Sequence, residues 1–223
     1  NRFKKNYKKI DYKIADFFSY KKFKKLNIGK ADIITAFAVF YDIKNPNQFL
    51  KDIKNSLSNN GLFIIEQSNL AYMIRLNSFD TICQEHLGYY STSVIKSLVE
   101  KNELKIIDHE YNQSNGGSSR YYITHIDNKK IKVNTKNVNY ALKYESKFKL
   151  DKVNTYLKFK KNIDIIKKKC TKKIHAILSS GKKIHGYGAS TKGNVILQYL
   201  NLDNKKIKYI ADRNPFKYNK YTP

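Results

Sequence analysis

The sequence predicts an α/β protein with mainly parallel strands. Two alternations of strand-like and helix-like segments run along it, one from the start to about Asp127 and one from Lys182, with a lysine-rich helical stretch separating them. At 223 residues and 41% hydrophobic content, the chain is long enough to bury a core in one large domain or two small ones. The pattern divides it into a first domain over 1–135, a helical connector over 136–180 and a second, smaller α/β domain over 181–223.

In the first alternation, Tyr12 to Phe18 reads as a strand, Tyr20 to Leu26 as a short helix and Ala31 to Phe40 as a buried strand. Pro46 opens a helix, because a first helical residue has no use for an N–H, and Phe49, Leu50, Ile53 and Leu57 then recur at helical spacing. Asn59-Asn60-Gly61 is expected to stop that helix, and Leu62 to Glu66 follows as the next strand. From Val138 to Leu178, apolar residues recur among lysines at a spacing that predicts a pair of amphipathic helices with a solvated charged face. The second alternation runs from strand Lys183 to Gly188, through a loop, into helix Asn194 to Leu200 and strand Ile207 to Ala211, closed by Asp212. Doubly wound sheets bind ligands beyond the carboxyl ends of their strands. The tips to examine are therefore Phe17-Phe18-Ser19, Thr35-Ala36-Phe37 and Glu66-Gln67-Ser68.

Composition excludes several function classes. No stretch approaches the roughly 20 apolar residues of a membrane helix, and Asn1 to Lys9 is too basic for a signal-peptide core, so no membrane partner is expected. Cys83 and Cys170 lie far apart and outside any CxxC pattern, which indicates neither a disulfide framework nor a zinc site and fits a reducing cytoplasm. The formal charge of +26 is carried almost wholly by scattered lysines beside abundant Asn, Ile, Tyr and Phe; the arginines are Arg2, Arg75, Arg120 and Arg213. That skew reads as an AT-rich coding bias. Bidentate readout of bases and phosphates favours arginine, so no nucleic-acid partner is expected. The chain begins on Asn1 rather than Met and ends at Pro223 in what reads as a turn, and is expected to be cut at both ends.

Three clusters can carry chemistry. NSFDTICQEHLGYYS, over Asn77 to Ser91, gathers Cys83, Gln84, Glu85, His86, Tyr89 and Tyr90. Glu85 and His86 supply a carboxylate and an imidazole, the pair that removes a proton and orients the base removing it; a surface coincidence is the plainer alternative. NQSNGGSSR, over Asn112 to Arg120, follows a strand-like segment. Gly116 and Gly117 permit positive φ, so their N–H groups, with Ser118, can face an oxyanion or a sugar hydroxyl, or can simply turn a hairpin. GYGASTKG, over Gly186 to Gly193, lies between a strand and a helix, where unpaired N–H groups and the helix dipole favour a phosphate and Lys192 adds charge. It departs in spacing from GxGxxG and is not GxxxxGK[ST]. The other histidines, His109, His125, His175 and His185, show no metal-ligand spacing and read as structural or exposed, and no metal is expected in this segment.

In this order the clusters resemble the sugar C-methyltransferases, which install methyl branches on deoxysugars carried by nucleoside diphosphates. The matching stretches are ADIITAFAVFYDIKNPNQF (Ala31 to Phe49), FIIEQSNL (Phe63 to Leu70), NSFDTICQEHLGYYS, NGGS (Asn115 to Ser118), and GYGASTKGN followed by IADRNPFKYNKYTP. The resemblance implies a three-part protein: a zinc-binding N-terminal domain, a central class I methyltransferase domain holding S-adenosylmethionine, and a C-terminal domain helping to hold the nucleotide sugar. Residues 1–135 would be the later part of the central domain and 181–223 a truncated Rossmann-like C-terminal domain. Zinc would belong only to the absent N-terminal domain, and the cofactor's GxGxG loop would also precede Asn1.

By the same resemblance His86 is the general base and Glu85 orients it or contacts the sugar. A keto sugar deprotonated by His86 gives an enolate whose carbon attacks the sulfonium methyl, while neighbouring donors hold the enolate oxygen. Cys83, Tyr89, Asn115, Gly116, Gly117, Ser118, Gly188, Ser190 and Lys192 are expected at the substrate. Strand-tip position places Phe17 and Phe18 at the adenine side of the cofactor and Ala36 and Phe37 at its methionine side. Some members carry Tyr where Cys83 stands and His where Asp42 stands; another branch shares FYD, EQS and the Cys of TIC with this chain, and Gln84 replaces a common His. Two alternatives stay open: a nicotinamide-dependent oxidoreductase using the GYGASTKG loop and Asp212, and a non-catalytic nucleotide-sugar binding protein.

Overall fold

The computed structural model describes residues 9–222; Arg2 and the rest of the basic start up to Lys8 lie outside them. Packing divides the chain into two compact units. The first holds the residues up to Asn69 together with Leu87–Lys147, and the second holds Leu70–His86 together with Phe148–Pro223. The chain thus leaves the first unit after Asn69, returns at Leu87 and leaves again after Lys147.

The first unit is built on a four-stranded sheet of β1 (Ala31–Phe37), β2 (Leu57–Ser68), β3 (Leu104–Asn112) and β4 (Ser118–His125) in the order β1-β2-β4-β3. β1 and β2 are parallel, and β4 runs antiparallel to both of its neighbours, so β1, β2 and β3 share one direction as expected and β4 is the one reversed strand of this sheet. The reason is local: the chain reverses after β3 through a 3-10 turn at Ser114–Gly116, and β4 inserts between β2 and β3. The helices of this unit are α1 (Tyr20–Lys24), α2 (Pro46–Ser56), α4 (Thr92–Lys101) and α5 (Thr135–Ser146). Alternate residues of β2, namely Gly61, Phe63, Ile65 and Gln67, are buried, and Phe63 and Ile65 join Leu50 and Ile53 of α2 and Ile95 and Val99 of α4 in one core. Each such side chain contributes about 1.5–3 kcal/mol by leaving water.

Three local expectations are corrected. No strand forms over Tyr12 to Phe18; Phe18 instead packs its ring against Phe23 and Phe49 at centroid distances of 6.5 and 5.8 Å. The first strand stops at Phe37, because Ala38 turns to φ 53° and Phe40–Asp42 winds into a 3-10 turn. α2 ends at Ser56 rather than at Asn59-Asn60-Gly61: Leu57 is fully buried and already extended, and β2 runs on through those residues. Gly61 serves the strand by close approach, since a Cβ there would lie 2.7 Å from the Leu57 side chain.

The second unit contains α3 (Leu70–Leu76), α6 (Val153–Ser179), β5 (Ile184–Tyr187), α7 (Thr191–Tyr199) and β6 (Ile207–Ala211), with β5 and β6 forming a two-stranded parallel sheet. This βαβ unit agrees with the sequence reading, and α5 and α6 are the expected pair of amphipathic helices. Phe159 and Ile163 are the buried residues of α6, and its lysines lie largely on the solvated side. Among the described residues no helix is long and apolar enough to cross a membrane.

Candidate active site

The carboxyl ends of β1 and β2 are locked together. The Ala38 amide donates to the Glu66 carbonyl at 2.8 Å, and the register sets Phe37, Glu66 and Arg120 side by side on one face of the sheet. Glu66 Oε2 accepts from Arg120 Nη2 at 2.7 Å, Arg120 Nε at 2.9 Å and Asn112 Nδ2 at 2.9 Å. The Arg120 guanidinium lies 5.9 Å from the Phe37 ring centroid. Phe37 is 50% exposed and Phe17 88% exposed, whereas Ala36 is buried and Phe18 packs on the core, so of the four residues expected at the cofactor only the two exposed rings are presented outward.

The Cys83–His86 segment is a tight turn in which the His86 amide donates to the Cys83 carbonyl at 3.2 Å. Glu85 is exposed, Cys83 and His86 are half-buried, and the Cys83 thiol is free. The Phe79 ring lies 4.9 Å from that of Tyr199 in a tilted contact, and the Asn162 side-chain amide donates to the Asn77 side chain at 3.2 Å, so the first half of this cluster is fixed to α6 and α7. Its end is fixed differently. The amides of Leu87 and Gly88 both donate to the Tyr41 carbonyl, at 2.8 and 3.0 Å. Tyr41 belongs to the 3-10 turn that follows β1, so the residue next after His86 is held at the carboxyl end of that strand. Phe40 anchors the turn from below, fully buried and 5.3 Å from the Tyr90 ring. A Cβ on Gly88 would meet that ring at 2.6 Å, so glycine lets the Tyr90 ring lie close over the backbone there. Tyr89, beside it, is 37% exposed.

The NGGS segment is a hairpin turn. The Gly116 and Gly117 amides donate to the Gln113 and Ser114 carbonyls at 3.3 and 2.9 Å, and the Ser118 hydroxyl donates to the Ser114 carbonyl at 2.8 Å. These N–H groups are therefore engaged within the turn, and Asn115 and Gly116, both at positive φ, form its exposed tip. The Gly117 carbonyl accepts from the Asn69 amide at 3.3 Å, which ties the turn to the end of β2.

Behind the tips lies a buried polar network. His109 is 3% exposed and its Nε2 lies 3.0 Å from the Ser119 hydroxyl, with the Tyr111 and Tyr121 rings at 4.4 and 5.1 Å. Burial lowers its pKa from 6.5 to about 4, against a smaller opposing pull from Asp108. The unfolded chain then binds a proton that the folded chain refuses, so this contribution is fully present above pH 6.5 and is lost as pH falls towards 4. The loss should reach about 3 kcal/mol in urea denaturation measured across that window, and His109→Gln should lack this part of the pH dependence. An unchanged slope in that variant would refute the assignment.

In the second unit, Gly188 leaves β5 at φ 90° and Ser190 caps α7, its side chain accepting from the Gly193 amide at 3.0 Å. A Cβ on Gly193 would come 3.2 Å from the Gly188 carbonyl, so glycine lets the helix start close to the strand. Asp212 accepts from the Ala189 amide at 2.8 Å, the Asn214 amide at 2.8 Å and Lys217 Nζ at 3.2 Å. The Asn214 and Ala189 amides, with Lys217, hold its carboxyl below the ordinary carboxylate range. Lys217 also donates to the Ala189 carbonyl at 2.6 Å. A cleft of about 870 Å³ borders this latch, lined by Ala189, Tyr209, Asp212, Lys217 and Tyr218 among others.

Sequence reasoning missed the Glu66–Arg120–Asn112 group, although Glu66 stood in a strand tip and Asn112 and Arg120 bounded a cluster already singled out. It also missed Tyr41, because a backbone carbonyl leaves no residue signature.

Residues 3–109 match the family described as methyltransferase domain, and residues 113–223 match the C-methyltransferase C-terminal domain. C-methyltransferase NovU of Streptomyces niveus is 25% identical over 197 residues, covering 87% of this chain and 46% of that protein. The chain thus spans less than half the length of this curated relative. Two solved structures are similar at a TM-score of 0.35. Mitomycin 7-O-methyltransferase MmcR is 14% identical over 44% of this chain and 30% of its own. Magnesium protoporphyrin IX methyltransferase ChlM of Synechocystis PCC 6803, with bound SAH, is 10% identical over 44% and 46%. With a methyltransferase domain followed by a C-methyltransferase C-terminal domain along its length, the chain belongs to the C-methyltransferase family.

Proposed function

We propose that the full-length protein methylates a carbon of a nucleotide-activated keto-deoxysugar, using S-adenosylmethionine as donor and His86 as general base. The observation that supports this most is the double hydrogen bond from Leu87 and Gly88 to the Tyr41 carbonyl, because it holds the residue following His86 at the carboxyl end of β1, where α/β sheets bind ligands. A proton on carbon is acidic only beside a carbonyl. His86 takes that proton, the C–H electron pair becomes the enolate, and the enolate carbon forms the new C–C bond as the methyl's bond to sulfur breaks. Glu85, adjacent in the same turn, orients or stabilises the imidazolium. Cys83 and Tyr89 flank the pair and face the sugar in this reading.

The exposed Phe37 and Phe17 rings fit a cofactor with an adenine and a sulfonium, since aromatic faces stack on one and attract the other. When bound, S-adenosylmethionine supplies an electrophilic methyl. In the GYGASTKG loop, Ser190 and Lys192 at the start of α7 suit the diphosphate, and Gly188 lets the backbone turn close to it. The oxidoreductase alternative is less favoured, because the Asp212 carboxylate on which it relies already accepts from three donors of the protein itself.

The test is to incubate the full-length protein with methyl-labelled S-adenosylmethionine and a panel of nucleoside-diphosphate keto sugars. Label on a sugar carbon adjacent to the ketone is expected. Label only on oxygen, or none across the panel, would overturn the reading.

A further inference from the structure

One buried carboxylate gathers the chain on both sides of the segment that carries His86. Glu145, in the last turn of α5, is 4% exposed. Its Oε1 accepts from Asn69 Nδ2 at 2.9 Å and from the Thr92 amide at 2.6 Å, and its Oε2 accepts from the Ser93 amide at 3.2 Å. Asn69 is the last residue before the chain leaves the first unit, and Thr92 opens α4 soon after the chain returns at Leu87. Asn69 is itself held twice more, by its amide on the Gly117 carbonyl at 3.3 Å and by Nδ2 on the Ser119 hydroxyl at 3.0 Å. The Thr92 hydroxyl lies 3.1 Å from the hydroxyl of Tyr121, whose pKa burial and the Glu145 charge raise to about 12.

A carboxylate with two N–H donors from a helix start is an ordinary cap. Glu145 departs from that, because it sits in a different helix and spends its third bond on the end of β2. Residues 70–91 are thereby closed into a loop whose two ends meet at one side chain. We propose that Glu145 is a positioning residue: its carboxylate clamps both ends of the 70–91 excursion and so fixes where the Cys83–His86 turn is presented. The proposal rests on the proposed function only for its kinetic consequence; the clamp itself is a statement about chain order.

The test uses Glu145→Gln in the full-length protein. The substitution keeps size but turns one acceptor into a donor facing an N–H. Amide hydrogen exchange over 70–91 should speed up about tenfold while β3 and β4 stay protected. The kcat for methyl transfer should fall about 100-fold with KM for the methyl donor nearly unchanged, since a small misplacement of a catalytic group costs that much. If Glu145→Gln fails to fold, Asn69→Ala removes one tie and leaves the cap on α4, and it should loosen 70–86 while Thr92 and Ser93 stay protected. Unchanged exchange over 70–91 overturns the clamp. Faster exchange with kcat retained overturns the positioning role. A wild-type protein that methylates nothing would sink the proposed reaction instead, and the exchange measurement would still decide the clamp.

Discussion

His86→Ala should lower methyl transfer by about 10²–10⁴-fold, the range a positioned general base contributes, while leaving the fold and donor binding in place. The fold should survive because His86 is half-buried in a surface turn outside the core, and substitutions at such positions cost about 0.5 kcal/mol or less. The neighbouring Leu87 and Gly88 amides still bind the Tyr41 carbonyl in the variant, so the turn keeps its place when the proton acceptor is lost. Added imidazole should therefore restore part of the rate. Glu85→Gln should lose less than His86→Ala, since it alters the orientation and charge around the base without removing it. Full activity in His86→Ala would place the base elsewhere.

Phe40→Ala should be the most damaging change for stability, at about 3–5 kcal/mol in urea denaturation. Phe40 is fully buried, and its ring meets Phe49 at 5.9 Å and Tyr90 at 5.3 Å, so truncation leaves a cavity that three elements must share. The site should suffer as well. Phe40 opens the 3-10 turn that carries the Tyr41 carbonyl, and a loosened turn no longer fixes the residue after His86. Phe40→Leu, which refills most of the volume, should recover most of the stability. A cost below about 1 kcal/mol for Phe40→Ala would mean that the turn is not held by this ring.

The parts of the fold legible in the sequence are those written in local periodicity and local chemistry. α2 announces itself by Pro46 and the spacing of Phe49, Leu50 and Ile53, and β5, α7 and β6 by a glycine loop between short apolar runs. What was not legible depends on residues far apart in the chain. The insertion of β4 between β2 and β3 is a pairing decision, and nothing in Ser118–His125 taken alone distinguishes it from a strand added at the edge. Tyr12 to Phe18 reads like a strand, yet no strand partner lies beside it among the described residues and Phe18 packs instead on Phe49, a residue far along the chain. The same division holds for the site. Glu85, His86 and the two glycine segments could be singled out by residue type. That the glycine amides of the NGGS turn are spent on its own carbonyls, that Glu66 is paired with Arg120, and that Glu145 reaches Asn69 across 76 positions follow only from the folded chain.

The most direct test of His86 as the carbon base needs no methyl transfer at all. The full-length protein is held in deuterated water with a nucleoside-diphosphate keto sugar and S-adenosylhomocysteine, and the hydrogen beside the ketone is followed by NMR. Wild-type protein should exchange it for deuterium and His86→Ala should not. Equal exchange by both proteins would contradict the account.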